Sequence, residues 1–436
     1  MKKSKVWLTM KRRLSNRRLL FLSGWPSIGP VCRKVIGPGV FLAIFLALAA
    51  RMTRIVYAEE TGEAPSAGTA VTVSSPCVLL MEASTGQVIF EQAADEQRTP
   101  ASVTKLMTLL LIYEQMESGN LSLEDTVTVS SHAQGMGGSQ VFLEAGETQT
   151  VETMIKSIVI ASGNDASVAM AEHIGGSEEN FVAMMNARAA ELGMEHTHFV
   201  DCCGLTDDPQ HYMTARDIAI LSREIVTRFP QIYDYSTIWM EDITHNTRRG
   251  SSQFTLTNTN KMLRSYDGCV GLKTGSTSRA GFCVSEVAVR NDITMIAVIL
   301  GAETSKERFA DAAALLNYGF GVTHLYTDTN TYELFCPEIP NAKVQGTACR
   351  PSEIFHWLDL ENRDFSRIAS EAVYEENLAA PMEADTVVGF IRYTYDGQEI
   401  GRVDILVNEA VEVRTYTDCL EDFAGRMLLK REEGAA

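Results

Sequence analysis

Strand-like segments stand at both ends of a helix-rich middle. Apolar, β-branched stretches cover 77–81 and 87–90, helical apolar periodicity runs from Ser102 to about Phe229, and strand-like segments return from about Ile238 to Leu300. Strands this far apart in sequence bury their apolar faces by meeting in one sheet, and the intervening helices must then pack on it. The expected class is α+β, an antiparallel sheet with helices, closed by a helix over 306–318. Beyond about Thr327 the pattern changes to short strands and turns. The run from Val387 to Tyr395 before Asp396-Gly397 is a hairpin signal. A small β-rich domain is therefore expected after the α+β one.

Three short polar signatures lie inside this framework: Ser102-Val103-Thr104-Lys105, Ser162-Gly163-Asn164 and Lys273-Thr274-Gly275. Ser102 and Lys105 are three apart, which on a helix brings both side chains to one face. A serine hydroxyl needs a base to become a nucleophile, and a lysine serves once desolvation and a second cation lower its pKa. Lys273 is a candidate for that cation. The apolar run after Ser102 reads as a buried helix, with Ser102 in its first turn, where free N–H groups favour developing negative charge. Ser162-Gly163-Asn164 interrupts two apolar helical stretches, so its polar groups must satisfy one another or face a cleft. Ser162 could relay a proton, and the Asn164 amide can accept from a lysine and donate to a substrate carbonyl. At a sheet edge, Lys273 and Thr274 offer a cation and a hydroxyl to a carboxylate. Gly275 lets peptide backbone come close.

With these signatures the chain resembles the serine-type D-Ala-D-Ala carboxypeptidases, the low-molecular-mass penicillin-binding proteins. The likeness extends through Arg98-Thr99-Pro100-Ala101, Asp165-Ala166, the segment from Met185 to Met194, Thr197-His198-Phe199, Gly204-Leu205, the segment from Leu256 to Asn260, and Ser276-Thr277 with Ala280-Gly281. A weaker echo of the family's second domain lies between Ala380 and Leu406. The resemblance implies a transpeptidase/β-lactamase-like fold and cleavage of the terminal D-alanine from peptidoglycan pentapeptide stems. It implies Ser102 as acylated nucleophile, Lys105 as its base, and Ser162 and Asn164 flanking the cleft. Lys273 and Thr274 would receive the terminal carboxylate. The backbone N–H groups of Ser102 and Ser276 would form an oxyanion hole, worth about 3–4 kcal/mol per donor. Arg308 is a candidate second carboxylate partner, set against a plain surface arginine. β-Lactams are implied as covalent inhibitors. The alternatives are a β-lactamase, for which no deacylating Glu-containing loop is found at the expected place, and a catalytically idle wall-binding protein. One local departure is Asp201-Cys202-Cys203-Gly204-Leu205, with two cysteines where the family usually has other residues.

Residues 1–58 hold 12 Lys and Arg and no acidic residue, with an apolar run over 40–50 and small residues before Glu59. This reads as a secretory signal with a long basic leader, too short in its apolar run for a spanning helix. The chain is expected outside the cytoplasmic membrane. Removing those 12 from 38 basic residues leaves 26 against 56 acidic ones, a net charge of −30, which argues against nucleic acid as partner. Eight cysteines follow residue 58, without a C-x-x-C pair; disulfides are allowed but not required. The histidines form no metal-ligand set, and no cofactor is implied. The expected order is a signal segment over 1–58, a disordered tether over 59–75, the carboxypeptidase domain over 76–325, the β-rich domain over 326–413 and a tail over 414–436. In the tail Tyr416, Cys419, Leu420, Phe423 and Met427 recur at helical spacing. Packing on the protein and weak peripheral contact with a membrane both fit that stripe.

Overall fold

The computed structural model describes residues 71–247 and 250–433. The expected signal segment and the tether up to residue 70 lie outside the described residues. In chain order the first part runs β1 (Cys77–Glu82), β2 (Val88–Gln92), α1 (Lys105–Glu117), β3 (Thr126–Thr128), β4 (Thr148–Thr150), α2 (Val151–Val159), α3 (Asn164–Gly175), α4 (Glu178–Glu191) and α5 (Ala215–Arg228). It continues through the hairpin β5 (Met240–Thr247) and β6 (Gly250–Thr257), then β7 (Cys269–Thr277), β8 (Gly281–Arg290), β9 (Ile293–Ala302) and α6 (Ser305–Val322).

The main sheet has the order β2-β1-β9-β8-β7, with every pairing antiparallel. The first strand thus lies beside the last, Leu79 opposite Val298, as the distribution of strand-like segments requires. Both faces of β1 are covered. Cys77, Leu79 and Met81 join the core built with α1, α3 and α5, whereas Val78 and Leu80 face Leu315 and Leu316 of α6. Strands buried on both faces read as continuous apolar runs, as β1 and β9 do. Helix α1 is buried from Lys105 through Tyr113, the mark of a central helix packed all round. Thr304 and Glu307 close a capping box at the start of α6.

The expectation of disorder up to residue 75 is corrected at its last residues. Ser74 and Ser75 donate their backbone N–H and hydroxyl groups to the Asp311 carboxylate of α6, at 2.6 Å for the Ser75 hydroxyl. Val71 and Val73 pack on the α6 side of the sheet. A buried carboxylate satisfied by both serines orders a segment whose composition alone suggested none.

The second part contains β10 (His324–Thr327), β11 (Leu334–Phe335), β12 (Ala348–Pro351), β13 (His356–Asp359), β14 (Ile368–Tyr374), β15 (Val387–Tyr395), β16 (Gln398–Val407) and α7 (Tyr416–Glu433). Five strands form a sheet of order β11-β12-β16-β15-β14 around Val388, Ile391, Val403, Ile405 and Val407, and β10 pairs with β13. By pairing, the strand that straddles residue 325 therefore goes with this part. The expected hairpin is present: Tyr395 pairs with Gln398, and Asp396 and Gly397 both have positive φ, 51° and 80°. On α7 the side chains of Tyr416, Leu420 and Phe423 are 79%, 49% and 62% exposed, so these three side chains are not buried against the described residues. No helix among the described residues is long and apolar enough to cross a membrane.

Candidate active site

Ser102 lies in a 3-10 turn, Ala101–Thr104, that feeds directly into α1 at Lys105. This corrects the expectation that Ser102 sits within the α-helix itself. Pro100 precedes the turn, and its carbonyl accepts from Val103 N–H. Ala101 has φ of 50°, a conformation that costs a non-glycine residue about 1–3 kcal/mol and recurs at functional turns.

Lys105 is fully buried. Its Nζ lies 2.9 Å from Ser102 Oγ, 2.6 Å from Asn164 Oδ1 and 2.7 Å from the Cys203 carbonyl. Burial pushes this amine below its usual range, partly offset by Cys203, Cys202, Asp201 and Asp165 around it. Two of its three neighbours are carbonyl oxygens, which only accept. A neutral amine therefore donates its two hydrogens to Asn164 and Cys203 and turns its lone pair towards the Ser102 hydroxyl, the geometry that proton removal needs.

Ser162 and Asn164 sit where α2 gives way to α3. Ser162 has φ of 60°, while the backbone N–H groups of Gly163 and Asn164 are anchored on the carbonyls of Ser157 and Ser139. The Asn164 Nδ2 donates to Gly137 O at 2.8 Å, which fixes the amide so that its oxygen faces Lys105. Across the cleft, Lys273 of β7 donates to Ser162 Oγ at 2.8 Å and to Thr274 O at 2.9 Å. Burial drives the Lys273 amine well below its usual range, and Arg308, with Lys105 whenever it carries a proton, pushes it the same way. Ser162 thus touches one lysine, and its neighbour Asn164 touches the other.

Thr274 Oγ1 meets Thr259 Oγ1 at 2.7 Å, and Ser276 follows, exposed, at the end of β7. A Cβ on Gly275 would stand 2.8 Å from Pro100 O and 2.9 Å from Ser102 N. The backbone that needs this glycine is the protein's own Ser102 turn. Arg308, on α6, is not a surface residue. It is 5% exposed, with Nη1 donating to Gly275 O at 3.2 Å and Cys283 O at 3.0 Å. Its guanidinium lies over Phe309 at 4.3 Å, and burial lowers its pKa to about 10. Its charge acts on Lys273 and lowers the pKa of that amine.

Sequence reasoning missed the loop that aims Lys105. Asp201 accepts from the backbone N–H groups of Cys203 at 2.9 Å, Gly204, Leu205 at 3.0 Å and Thr206 at 2.7 Å. The two cysteines noted as a departure are carried by this clasp, with the Cys202 carbonyl on Thr108 and the Cys203 carbonyl on Lys105. Gly204, with φ of 75°, presses so near that a Cβ would stand 1.9 Å from Ala101 O. His211 braces the same turn. Its Nδ1 accepts from Val200 N–H at 3.1 Å, so Nε2 carries the hydrogen and donates to Thr104 Oγ1 at 2.8 Å. Burial lowers the His211 pKa and keeps the ring neutral. An aspartate followed by glycine three residues on was the only local signal of this clasp.

A family model described as D-alanyl-D-alanine carboxypeptidase matches residues 61–304, and a second, described as penicillin-binding protein 5, C-terminal domain, matches residues 358–413. The chain belongs to the D-alanyl-D-alanine carboxypeptidase family. It is 37% identical over 350 residues to the D-alanyl-D-alanine carboxypeptidase DacF of Bacillus subtilis, covering 80% of this chain and 88% of that protein. It is 33% identical over 379 residues to DacC of Escherichia coli, covering 84% and 90%. Among solved structures it is similar to penicillin binding protein 5 from Haemophilus influenzae, with a TM-score of 0.65, 27% identity and coverage of 79% and 99%. These relationships favour the carboxypeptidase over the β-lactamase and the idle wall-binding protein. The two-part architecture, an α+β transpeptidase-like fold followed by a β-rich domain, is that of the family.

Proposed function

We propose that the chain is exported and removes the terminal D-alanine of peptidoglycan pentapeptide stems through an acyl-enzyme on Ser102. The observation that carries this reading is the Lys105 amine, held by Asn164 Oδ1 and Cys203 O with its remaining position on Ser102 Oγ. Lys105 takes the hydroxyl proton as Oγ attacks the carbonyl of the penultimate D-alanine, and the backbone N–H groups of Ser102 and Ser276 receive the oxyanion. The C–N bond then breaks, and the leaving amine of D-alanine takes a proton passed through Lys105 or the Ser162 hydroxyl. Water adds to the ester and restores Ser102. Lys273 and Thr274 receive the substrate carboxylate, Gly275 holds β7 against the Ser102 turn, and Arg308 adds positive field. Asn164 Nδ2 and Oδ1 fix the far wall. β-Lactams, which carry an acyl group and a carboxylate at matching positions, acylate the same serine.

The exposed stripe Tyr416, Leu420 and Phe423 supports peripheral contact of α7 with a membrane. Acidic Asp418 and Glu421 beside it keep that contact weak.

The test is intact-protein mass spectrometry after exposure to penicillin and to a D-Ala-D-Ala peptide. One adduct on Ser102 is expected, absent from Ser102→Ala, whose thermal unfolding stays close to that of the parent chain. Covalent labelling that persists in Ser102→Ala would sink the assignment.

A further inference from the structure

The C-terminal sheet holds two cysteines that the chemistry above does not use. Cys349 lies in β12, opposite Leu334 of β11, and Cys336 N–H donates to Thr347 O at 2.9 Å. With the two-residue period of a strand, this register puts Cys336 and Cys349 on the same face of the antiparallel pair as diagonal neighbours. Both are buried in the core with Val388, Ile391 and Val403. Their Sγ atoms are 3.0 Å apart, nearer than the ~3.5–4.0 Å at which even carbon atoms pack. Of the other buried cysteines, Cys202 and Cys203 are sequence neighbours whose thiols also interact, whereas two others have different surroundings. Cys77 meets the Arg98 guanidinium, and Cys283 faces the backbone carbonyls of Thr99 and Ala280.

The residues between the two cysteines also point to a cross-link. Segment 337–347 has no regular element beyond the single bridge Ala342–Val413, and it leaves from β11, the two-residue edge strand of the sheet. The segment is held by the core contacts of Leu334, Cys336, Ile339 and Ala342, by the Gln345 amide on the Ile339 backbone, and by backbone bonds from Lys343 to Glu412 and from Arg414 to Asn341. A loop of this kind, closed by a covalent bond, has fewer unfolded conformations to lose.

We propose that Cys336 and Cys349 form a disulfide that closes the 337–347 loop onto the edge of the C-terminal sheet. The oxidant is a disulfide of the thiol-exchange class, such as oxidised glutathione or a dithiol oxidoreductase. One cysteine thiolate attacks that disulfide and releases one of its thiols, leaving a mixed disulfide. The second cysteine, as thiolate, displaces the other thiol. The pair loses two electrons and two protons, and the oxidant is reduced to two thiols. In the cell this rests on the proposed export, since cytosolic thiols are kept reduced.

Trypsin separates the two cysteines cleanly, because Lys343 lies between them. Because Arg350 is followed by Pro351 and is not cut, the peptides are 309–343 and 344–363, and each contains one cysteine. The full chain is equilibrated in an oxidised and reduced glutathione buffer, alkylated, digested and analysed without reductant. The expected product is 309–343 joined to 344–363, two hydrogens lighter than the sum of the free peptides and split by dithiothreitol. Reduction of the intact protein, or Cys336→Ala, should lower the melting transition of this sheet by ~5 °C or more while turnover of soluble peptide stays unchanged. Both peptides recovered singly alkylated from the oxidising buffer, or Cys349 joined to another cysteine, would overturn the proposal. Because the exchange is run on purified protein, its result is independent of whether the leader is cleaved in cells, which tests the export reading separately.

Discussion

Lys105 donates to the backbone carbonyl of Cys203 at 2.7 Å, across 98 residues of sequence. The residue that stations this carbonyl is Asp201, whose carboxylate collects four successive backbone N–H groups. An amine oriented by two fixed acceptors loses its aim when one of them drifts, and a misplacement near 1 Å costs about 100-fold in rate. Asp201→Ala is therefore expected to slow acylation by penicillin by ~10-fold to 100-fold and to shift the pH profile of acylation. Asp201→Asn, which keeps one acceptor oxygen, should recover part of the rate. A second-order acylation rate unchanged across the pH range in Asp201→Ala would refute the positioning role.

The two glycines that flank the Ser102 turn make a steric prediction. Gly275→Ala places a methyl 2.8 Å from Pro100 O, and the neighbours are backbone atoms that have no rotamer with which to move aside. Overpacking of this kind costs about 1–3 kcal/mol. The variant should fold, melt a few degrees lower and be acylated at least ~10-fold more slowly, because the strain is released into the turn that carries the nucleophile. Gly204→Ala combines a 1.9 Å contact with a positive φ, so its loss of stability should be the larger of the two. Stopped-flow acylation beside calorimetric melting separates the two effects, and wild-type acylation by Gly275→Ala would contradict the geometry.

Glu286, on β8, is buried, with Oε1 accepting from Asn260 Nδ2 and Cys269 Sγ, both at 2.8 Å, and Oε2 without a partner among the described residues. Burial raises its pKa to about 7. A carboxyl whose folded pKa lies above its unfolded value binds more protons when folded, so its contribution is full below pH ~4.3 and is lost as pH rises through 7. The loss amounts to about 4 kcal/mol. Glu286→Gln keeps the acceptor and cannot ionise. Its denaturant stability should therefore fall less than that of the parent between pH 5 and 8, measured as the difference between the two curves. Parallel curves would show that Glu286 does not titrate in this window.

Helix α7 yields a prediction about attachment. A short stripe of Tyr416, Leu420 and Phe423 with acidic neighbours gives one weak signal, whereas stable anchoring takes two. The protein should leave membranes in high salt or mild alkali, and a chain ending at Val413 should keep full activity on soluble peptide. A need for detergent in the extraction would count against weak contact, and loss of activity on truncation would tie α7 to the fold.

Much of this molecule was legible in its sequence because the governing signals are local. The apolar run after Ser102 marked α1, the β-branched runs marked β1, β7, β8 and β9, and Asp396-Gly397 marked its hairpin, since each depends on periodicity or on the φ preference of one or two residues. Ser102, Lys105, Ser162, Asn164, Lys273 and Thr274 could be named because their three signatures, in that order, resemble those of a known family, and the fold brings them together through hydrogen bonds. Tertiary structure alone decided what each was held by. The Cys203 carbonyl at Lys105, the Asp201 clasp, the Thr259 hydroxyl on Thr274, the burial of Arg308 against Gly275 and the ordering of Ser74 and Ser75 on Asp311 all join residues distant in sequence. Such contacts leave no periodicity to read. A buried polar group takes whichever partner the packing delivers, and that partner is set by the closure of the whole sheet rather than by its sequence neighbours.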